Sequence, residues 1–278
     1  MVKIGLDAGH GLYTSGKQTP DGIKEWTLND KVRDKVVEIL SDYDCQIINV
    51  DNDEGVVDES LSSRVKKYID AAVDVFVSIH HNAFNNQWNN ATGVEVYTDN
   101  NSTANDTRLA NLIYGKMVAY TGLKGRGVKK ASFAVINQNK ITAVLVEGGF
   151  MDSSIDYKVI TSDEGQSAYA KAVAEALIEF LGLNKKVTAG WKKDTVGWWY
   201  QNADGSYPKS TWLQLDAWYY FDEKGYAVEN SWKQINGKWY YFDNSCRMVT
   251  GLREINGELY YLANDGHLCY TDQNGALK

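Results

Sequence analysis

The chain has 278 residues, 29 of them basic and 36 acidic, and a formal net charge of -7. At about 150 residues per domain, this length predicts two domains. The ordinary share of 44% hydrophobic and 23% charged residues excludes a disordered or collagen-like chain. The acidic balance argues against nucleic acid as a partner and against a polybasic membrane anchor. Three cysteines do not form a disulfide framework, although a Cys246–Cys269 pair stays open.

The first 184 residues alternate predicted strands with predicted helices. Short apolar, β-branched runs indicate strands, and apolar residues at helical spacing indicate helices. The predicted strands cover residues 2–7, 45–50, 73–79, 94–98 and 143–146, and the predicted helices cover 27–43, 60–72, 102–120 and 162–181. This order is typical of βαβ units, so we expect an α/β domain with a mostly parallel sheet and helices on both faces.

A polar linker, residues 184–190, leads to a second predicted domain over residues 190–278, which is an internal repeat. Its units begin at Trp191, Trp212, Trp232 and Leu252, so the starts are 21, 20 and 20 residues apart. Asn-Gly pairs at 236–237 and 256–257 lie between strand-like stretches and predict tight hairpins. Because a single hairpin is marginally stable, we expect stacked β-hairpins that share an aromatic core, in a small β-solenoid.

Polar side chains end three of the predicted strands in the first region. His10 follows the first strand, His80 follows the third, and Glu147 closes the last, while Glu25 precedes the first long helix. In open α/β sheets ligands bind beyond these strand ends. Two imidazoles, one carboxylate and an open position make a catalytic zinc site, with a further carboxylate as general base. Spacing alone leaves the alternative of surface and capping residues open.

The motifs in this region also carry a family resemblance. Residues 7–11 read Asp-Ala-Gly-His-Gly, residues 78–82 read Ser-Ile-His-His-Asn, and residues 145–150 read Leu-Val-Glu-Gly-Gly-Phe. With Glu25 between the first two, this order resembles the zinc-dependent N-acetylmuramoyl-L-alanine amidases of family 3, over about residues 2–182. The resemblance implies that His10, Glu25 and His80 are zinc ligands and that Glu147 is the catalytic acid–base.

Other polar residues near these motifs have structural interpretations as well. His81 stands where the family more often has Ala, and we expect a structural role on the opposite side of the strand from His80. Arg64, in a Leu-x-x-Arg helix, is expected to be an ion pair or loop anchor rather than a substrate contact. Asp7 is expected to support the neighbouring loop, and Glu95 is expected to face solvent.

The second region resembles the choline-binding repeats of bacterial cell-wall proteins. Exposed Trp and Tyr faces attract quaternary ammonium groups, and related repeats that take carbohydrate are hard to separate by sequence. The resemblance implies cages between successive hairpins and two or three ligand sites. The last unit has Leu252 and Leu259 in place of Trp, which predicts a cap or a dimer contact. The cage residues proposed from the repeat are Trp191, Trp198, Trp212, Trp218, Trp232, Trp239, Tyr220 and Tyr241.

Together the two regions predict a zinc-dependent hydrolase that cleaves the amide between N-acetylmuramic acid and L-alanine in peptidoglycan. Choline on teichoic acid would tether it, and a homodimer through the last repeats stays open. The N-terminus lacks a signal-peptide apolar region, which suggests a phage endolysin, made in the host cytoplasm and acting on the wall after release. Two alternatives stay open: a zinc endopeptidase of the stem peptide, and a non-catalytic wall-binding protein whose repeats bind carbohydrate.

Overall fold

The computed structural model describes residues 1–138 and 141–271, so the last seven residues of the predicted repeat domain lie outside the described residues. The chain divides into two compact units, Met1–Lys186 and Val187–Lys278. No helix in the described part of the chain is long and apolar enough to cross a membrane. All three cysteines are free thiols, so the open Cys246–Cys269 pair is not formed.

The first unit contains six strands and five helices within the described residues. In chain order they are β1 (Val2–Ala8), α1 (Glu25–Leu40), β2 (Cys45–Asn49), α2 (Leu61–Asp70), β3 (Val75–Asn82), β4 (Val94–Thr98), α3 (Ala104–Thr121), β5 (Gly125–Lys130), β6 (Thr142–Phe150), α4 (Tyr157–Ile160) and α5 (Asp163–Leu181). The strands form one sheet in the order β2-β1-β3-β6-β4-β5. Its pairs are parallel except β4 with β6.

Both faces of this sheet are covered, which confirms the predicted α/β fold. Side chains alternate across a strand, so Val75, Val77 and Ile79 face one way and Phe76 the other. The first set packs in a core with residues of α1, α3 and α5. Phe76 packs in a second core with Tyr68 of α2.

Helix ends in this unit follow the local sequence. Ser60 accepts a hydrogen bond from the Ser63 amide at the start of α2, and Thr103 forms a capping box with Asp106 at the start of α3. Gly122 and Gly182 end α3 and α5 in left-handed conformations, as C-terminal glycines do. These caps account for the good agreement of the predicted helix boundaries.

Four details of the first unit differ from the sequence prediction, and one of them is the short helix α4, which was not predicted. Glu25 is the first residue of α1 rather than a residue before it. The strands β3 and β6 run on to Asn82 and Phe150, so His80 and Glu147 lie within paired strands. Strand β5 was not predicted, because its sequence Gly-Arg-Gly-Val-Lys-Lys has little apolar content. It is an edge strand that forms through its pairing with β4.

Up to residue 271, the second unit contains four antiparallel hairpins, as the repeat predicts. They pair β7 (Gly190–Lys193) with β8 (Trp198–Gln201), β9 (Thr211–Gln214) with β10 (Trp218–Phe221), β11 (Ser231–Ile235) with β12 (Lys238–Phe242), and β13 (Gly251–Ile255) with β14 (Glu258–Leu262). Asn236 and Gly237 both have positive φ, which is the geometry of a two-residue type I′ turn.

Candidate metal centre and aromatic cages

Three of the predicted site residues converge at one end of the sheet. His10 follows β1, Glu25 begins α1, and His80 lies near the end of β3. One donor atom from each lies within 4.8 Å of the other two. The approach requires a glycine before His10, because a Cβ on Gly9 would lie 2.0 Å from Cε1 of His80.

The spacing of these donors fits a tetrahedral metal ion. Nε2 of His10 is 3.3 Å from Oε2 of Glu25, and Nδ1 of His80 is 3.1 Å from Oε1 of the same carboxylate. Two ligands that each lie about 2.0–2.1 Å from a tetrahedral zinc ion are about 3.3 Å apart. Two nitrogen donors and one carboxylate, arranged in this way, are therefore a suitable donor set for zinc.

The pKa values of the three groups reflect burial and mutual attraction. Burial lowers the pKa of His10 to about 4, against the raising effect of Glu25. Burial opposes ionisation of Glu25, yet the hydrogen bond and charge of His80, with the charge of His10, hold its pKa at about 2. Burial also disfavours the charged form of His80, but the contact with Glu25 raises its pKa. The site thus favours a charged carboxylate between two imidazoles.

Glu147 lies beside this cluster on the neighbouring strand β6, where it is the register partner of His80. The two residues line the same cavity of about 450 Å³, together with His10 and Lys17. Oε2 of Glu147 is buried and has no hydrogen-bond partner among the described residues. Burial raises the pKa of this carboxyl to about 8. A buried carboxylate oxygen without a partner is costly unless a ligand supplies one.

Side chains that donate hydrogen bonds to backbone carbonyl oxygens hold the loop that presents His10. Arg64 donates to the carbonyl oxygens of Ala8 and His10, at 2.9 and 2.6 Å, and pairs with buried Asp7. Nδ2 of Asn29 donates to the carbonyl oxygen of Gly9 at 3.1 Å. The expectations that Arg64 anchors the loop and that Asp7 supports it agree with these contacts.

His81 points to the opposite face of β3 from His80, where it contacts α1 and α5. Its Nδ1 is 2.8 Å from Oδ1 of Asn29, and its ring packs edge-on against Tyr169, with 5.5 Å between centroids. Since Oδ1 can only accept, Nδ1 is the protonated nitrogen. Asn29 also lies 3.5 Å from Oε1 of Glu25, so His81 reaches the candidate metal ligand through one intermediate side chain.

Glu95 is buried, and the expectation that it faces solvent is wrong. It pairs with Arg126, lies 2.9 Å from Nζ of Lys129, and accepts a hydrogen bond from the Tyr97 hydroxyl. Its register partner is Glu147, so this charged group adjoins the site. The basic spacing of β5, two cations three residues apart, is the sequence signal that could have indicated a buried acidic partner.

Two aromatic cavities lie between successive hairpins of the second unit. The first cage is formed by Trp191, Trp198 and Tyr219, with a volume of about 400 Å³. The second cage is formed by Trp212, Trp218 and Tyr240, with a volume of about 340 Å³. The Trp–Tyr centroid distances are 4.7 Å in the first and 4.9 Å in the second, so the two cages repeat one geometry.

The tyrosines of these cages are Tyr219 and Tyr240, which corrects the prediction of Tyr220 and Tyr241. Neighbouring side chains point to opposite faces of a strand, and Tyr220 packs on Trp212 within its own hairpin. Tyr241 packs on Trp232 in the same way.

The remaining predicted cage residues belong to the third hairpin. Trp232 lies edge-on to Tyr260, with 5.0 Å between centroids, and Trp239 is partly exposed. Leu252 and Leu259 stand at the tryptophan places of the fourth hairpin and are 62% and 69% exposed.

Both regions of the chain match known protein families. The family described as N-acetylmuramoyl-L-alanine amidase matches residues 4–179. A choline-binding repeat family matches residues 229–273, and a family of putative cell wall binding repeats matches residues 216–227.

Individual relatives resemble mainly the first unit. The chain is 34% identical over 176 residues to the N-acetylmuramoyl-L-alanine amidase LytC of Bacillus subtilis (strain 168), which is 63% of this chain and 34% of that protein. It is 33% identical over 189 residues to the endolysin of Bacillus phage SPP1, which is 66% of this chain and 67% of that protein. The matched segment thus spans about a third of the length of the former.

Solved structures show the same fold. An N-acetylmuramoyl-L-alanine amidase from Clostridium difficile 630 superposes with a TM-score of 0.61 at 26% identity, over 65% of this chain and 97% of that one. The catalytic domain of the amidase CwlV from Bacillus (Paenibacillus) polymyxa var. colistinus gives 0.61 at 26% identity, over 66% and 100%.

Proposed function

The chain belongs to the N-acetylmuramoyl-L-alanine amidase family, and from this premise we propose that its first unit hydrolyses the amide between N-acetylmuramic acid and L-alanine in peptidoglycan. One observation carries the proposal. His10 and His80, which cluster with Glu25 as three donors, line one cavity with Glu147, and the buried Oε2 of Glu147 has no hydrogen-bond partner among the described residues. Water-activating hydrolases combine these two elements, a metal-binding cluster and a nearby free carboxylate.

We propose that His10, Glu25 and His80 hold zinc. When bound, zinc supplies a Lewis acid that polarises the scissile carbonyl and makes water more acidic. Arg64 and Asn29 would keep the donors in place, since they fix the backbone on both sides of Gly9. Preorganised donors lose little entropy when the ion binds, and such outer contacts tune metal affinity.

Glu147 is proposed as the residue that moves the proton. In the ionised form of Glu147, Oε2 takes a proton from the attacking water as the C–O bond forms at the lactyl carbonyl. The same oxygen then gives that proton to the nitrogen of L-alanine as the C–N bond breaks, so the products are a carboxylate and a free amine. A positioned carboxylate of this kind contributes about 10²- to 10⁴-fold to the rate.

The second unit is proposed to hold the enzyme on choline-decorated teichoic acid. The two aromatic cages support this, because ring faces attract a quaternary ammonium group by about 0.5–2 kcal/mol each. Weak cages on one chain act together on a repeating polymer, so avidity exceeds the affinity of either. Domain assignments follow: residues 1–184 catalytic, and 190–278 wall-binding. The resemblance to an endolysin of a Bacillus phage supports a role in host lysis at release.

Digestion of purified choline-containing walls tests both halves of the proposal. New amino termini are labelled and identified, with and without a chelator, and free choline is added to compete for wall binding. Chelator-sensitive release of alanine termini, without new reducing sugar, supports the amidase. A different terminal residue supports a stem-peptide endopeptidase instead. Binding without new termini leaves a wall-binding protein, and binding that choline does not compete away favours a carbohydrate ligand.

A further inference from the structure

Each repeat of the second unit has a loop after its hairpin, and one of these four loops has cysteine where the others have glycine. Each loop contains a tight turn whose last residue has positive φ, and these residues are Gly205, Gly225, Cys246 and Gly266. Three are glycine, the residue that adopts this conformation at no steric cost. Cys246 has φ of 62°, so it pays a conformational cost that its counterparts avoid.

Glycine is required at two of these turns for a second reason. A Cβ on Gly266 would lie 2.2 Å from Sδ of Met248, and one on Gly225 would lie 2.4 Å from Cδ2 of Tyr207. Both neighbours occupy the same place in the repeat, two residues after the preceding turn residue. A side chain at the turn and a large side chain at this second place therefore exclude each other.

Cys246 is accommodated because its neighbour is short. The residue that corresponds to Met248 and Tyr207 is Ala227, since Phe221 bridges to Ala227 as Phe242 bridges to Met248. Ala227 and Cys246 are both buried, and they belong to one cluster with Tyr219 and Phe221. The two places thus vary together. A large residue at one place is paired with glycine at the following turn, whereas Ala227 is paired with Cys246.

This exchange changes the wall of a cage. Met248 lines the second cage, with Trp212, Trp218 and Tyr240. Cys246 lines the first cage instead, with Trp191, Trp198 and Tyr219. The thiol side chain is shorter than the thioether, and the first cage is larger, at about 400 Å³ against 340 Å³. A ligand of one size therefore makes fewer contacts in the first cage.

Charged side chains lie beside both cages, and in the first cage Nζ of Lys193 also lies 5.0 Å from the ring centre of Trp198. The first is edged by the ion pair of Arg247 with Asp216, at 2.5 Å, and the second by Lys238 with Asp265, at 3.5 Å. The Cys246 thiol is neutral at physiological pH, because burial raises its pKa to about 11. The two cages thus share their aromatic geometry and differ in the wall residue and in the neighbouring cations.

We propose that the residue pair 246 and 227 sets the ligand affinity of the first cage, which binds the same trimethylammonium group more weakly than the second cage does. The inference rests on the proposed choline binding of the second unit. The thioether of Met248 is polarisable and packs well on aromatic rings. These two neighbouring cages then form a weaker and a stronger site that act together on a repeating polymer.

Paired substitutions in the full chain test this assignment. The first double variant, Cys246→Gly with Ala227→Met, gives the first cage the glycine and methionine of the second. The other double variant, Gly266→Cys with Met248→Ala, gives the second cage the cysteine and alanine of the first. Choline binding is measured by titration calorimetry. We expect the first pair to tighten the weaker site, and the second pair to weaken the stronger site, each by roughly two- to tenfold.

Stability of the single variants gives an independent readout. Ala227→Met alone should lower the melting temperature, because its side chain meets the Cβ of Cys246, and Cys246→Gly should restore it. Folded double variants with unchanged choline affinities would overturn the inference while leaving choline binding intact. An unaltered chain that binds no choline would instead overturn the proposed binding function itself.

Discussion

Nη2 of Arg64 donates a hydrogen bond of 2.6 Å to the carbonyl oxygen of His10, and this contact ties helix α2 to the end of strand β1. His10 has φ of 69°, a left-handed conformation that is costly for a residue with a side chain. The buried guanidinium also donates a hydrogen bond to the carbonyl oxygen of Ala8 and forms an ion pair with Asp7. One side chain therefore maintains the backbone shape that brings the His10 imidazole to Glu25.

Arg64→Lys should weaken this arrangement although it keeps the positive charge. Lysine lacks the planar fork that reaches several acceptors at once. We expect the free energy of unfolding to fall by about 1–3 kcal/mol, with a loss of zinc affinity, measured by urea unfolding and by competition with a chelating dye. Arg108→Lys, at an exposed site on α3, is the control. Unchanged zinc affinity in the folded Arg64→Lys protein would contradict the proposal that the hydrogen bonds of Arg64 position His10.

Glu147→Gln should separate catalysis from binding. The amide has nearly the shape of the carboxylate but cannot accept the proton from water. We expect kcat on a soluble muramoyl-peptide to fall by at least about a hundredfold, while zinc content and wall binding stay as in the unaltered protein. Glu179→Gln, at an exposed position on α5, should leave the rate unchanged. A Glu147→Gln protein that still cleaves at the normal rate would rule out this proton carrier.

His81→Ala should act on the metal site through Asn29. Loss of the 2.8 Å contact with Oδ1 of Asn29 frees a side chain that touches both Gly9 and Glu25. We expect zinc affinity to fall about tenfold or more, whereas kcat at saturating zinc should change only a few-fold. His267→Ala, in a turn of the second unit, is the control. A purely packing role would lower stability and leave zinc affinity as it was.

Gly148→Ala tests the close contact behind Glu147. A Cβ there would lie 2.0 Å from Cε1 of Tyr169, and Tyr169 donates to the carbonyl oxygen of Val146 at 2.9 Å. We expect a loss of about 1–3 kcal/mol of stability. Gly115→Ala is the matched control, because a Cβ at this exposed position in α3 meets nothing within 4 Å among the described residues. It should gain about 0.5–1 kcal/mol. Equal melting temperatures for the two variants would contradict the steric argument.

Much of the fold can be predicted from the sequence, because its strongest signals are local. The helical period from Leu28 to Leu40 and the Asn-Gly turns fix elements whose stability depends on nearby residues. The convergence of His10, Glu25 and His80 is not local, so the strand-end argument leaves it open and the family resemblance predicts it. Strand β5 and the burial of Glu95 depend on pairing across the sheet, for which the two cations of β5 are the only local signal that we identify.

The same reasoning explains the error in the cage tyrosines. The triplet Tyr219, Tyr220 and Phe221 reads as continuous aromatic sequence, and a shift of one residue moves a side chain to the other face. The strand register assigns Tyr220 to Trp212 of its own hairpin and leaves Tyr219 facing the preceding one. The turn between β9 and β10 has three residues, one more than the Asn-Gly turn between β11 and β12, and it fixes the register of this hairpin.

The proposed reaction is hydrolysis of the bond between the lactyl carbonyl and L-alanine. Its most direct test is cleavage of a soluble muramoyl-peptide in water enriched with heavy oxygen, followed by mass spectrometry of both products. We predict heavy oxygen in the carboxylate of the muramic acid and an unlabelled peptide with a free alanine amine. Heavy oxygen in a peptide carboxylate, with the muramoyl–alanine bond intact, would contradict the claim.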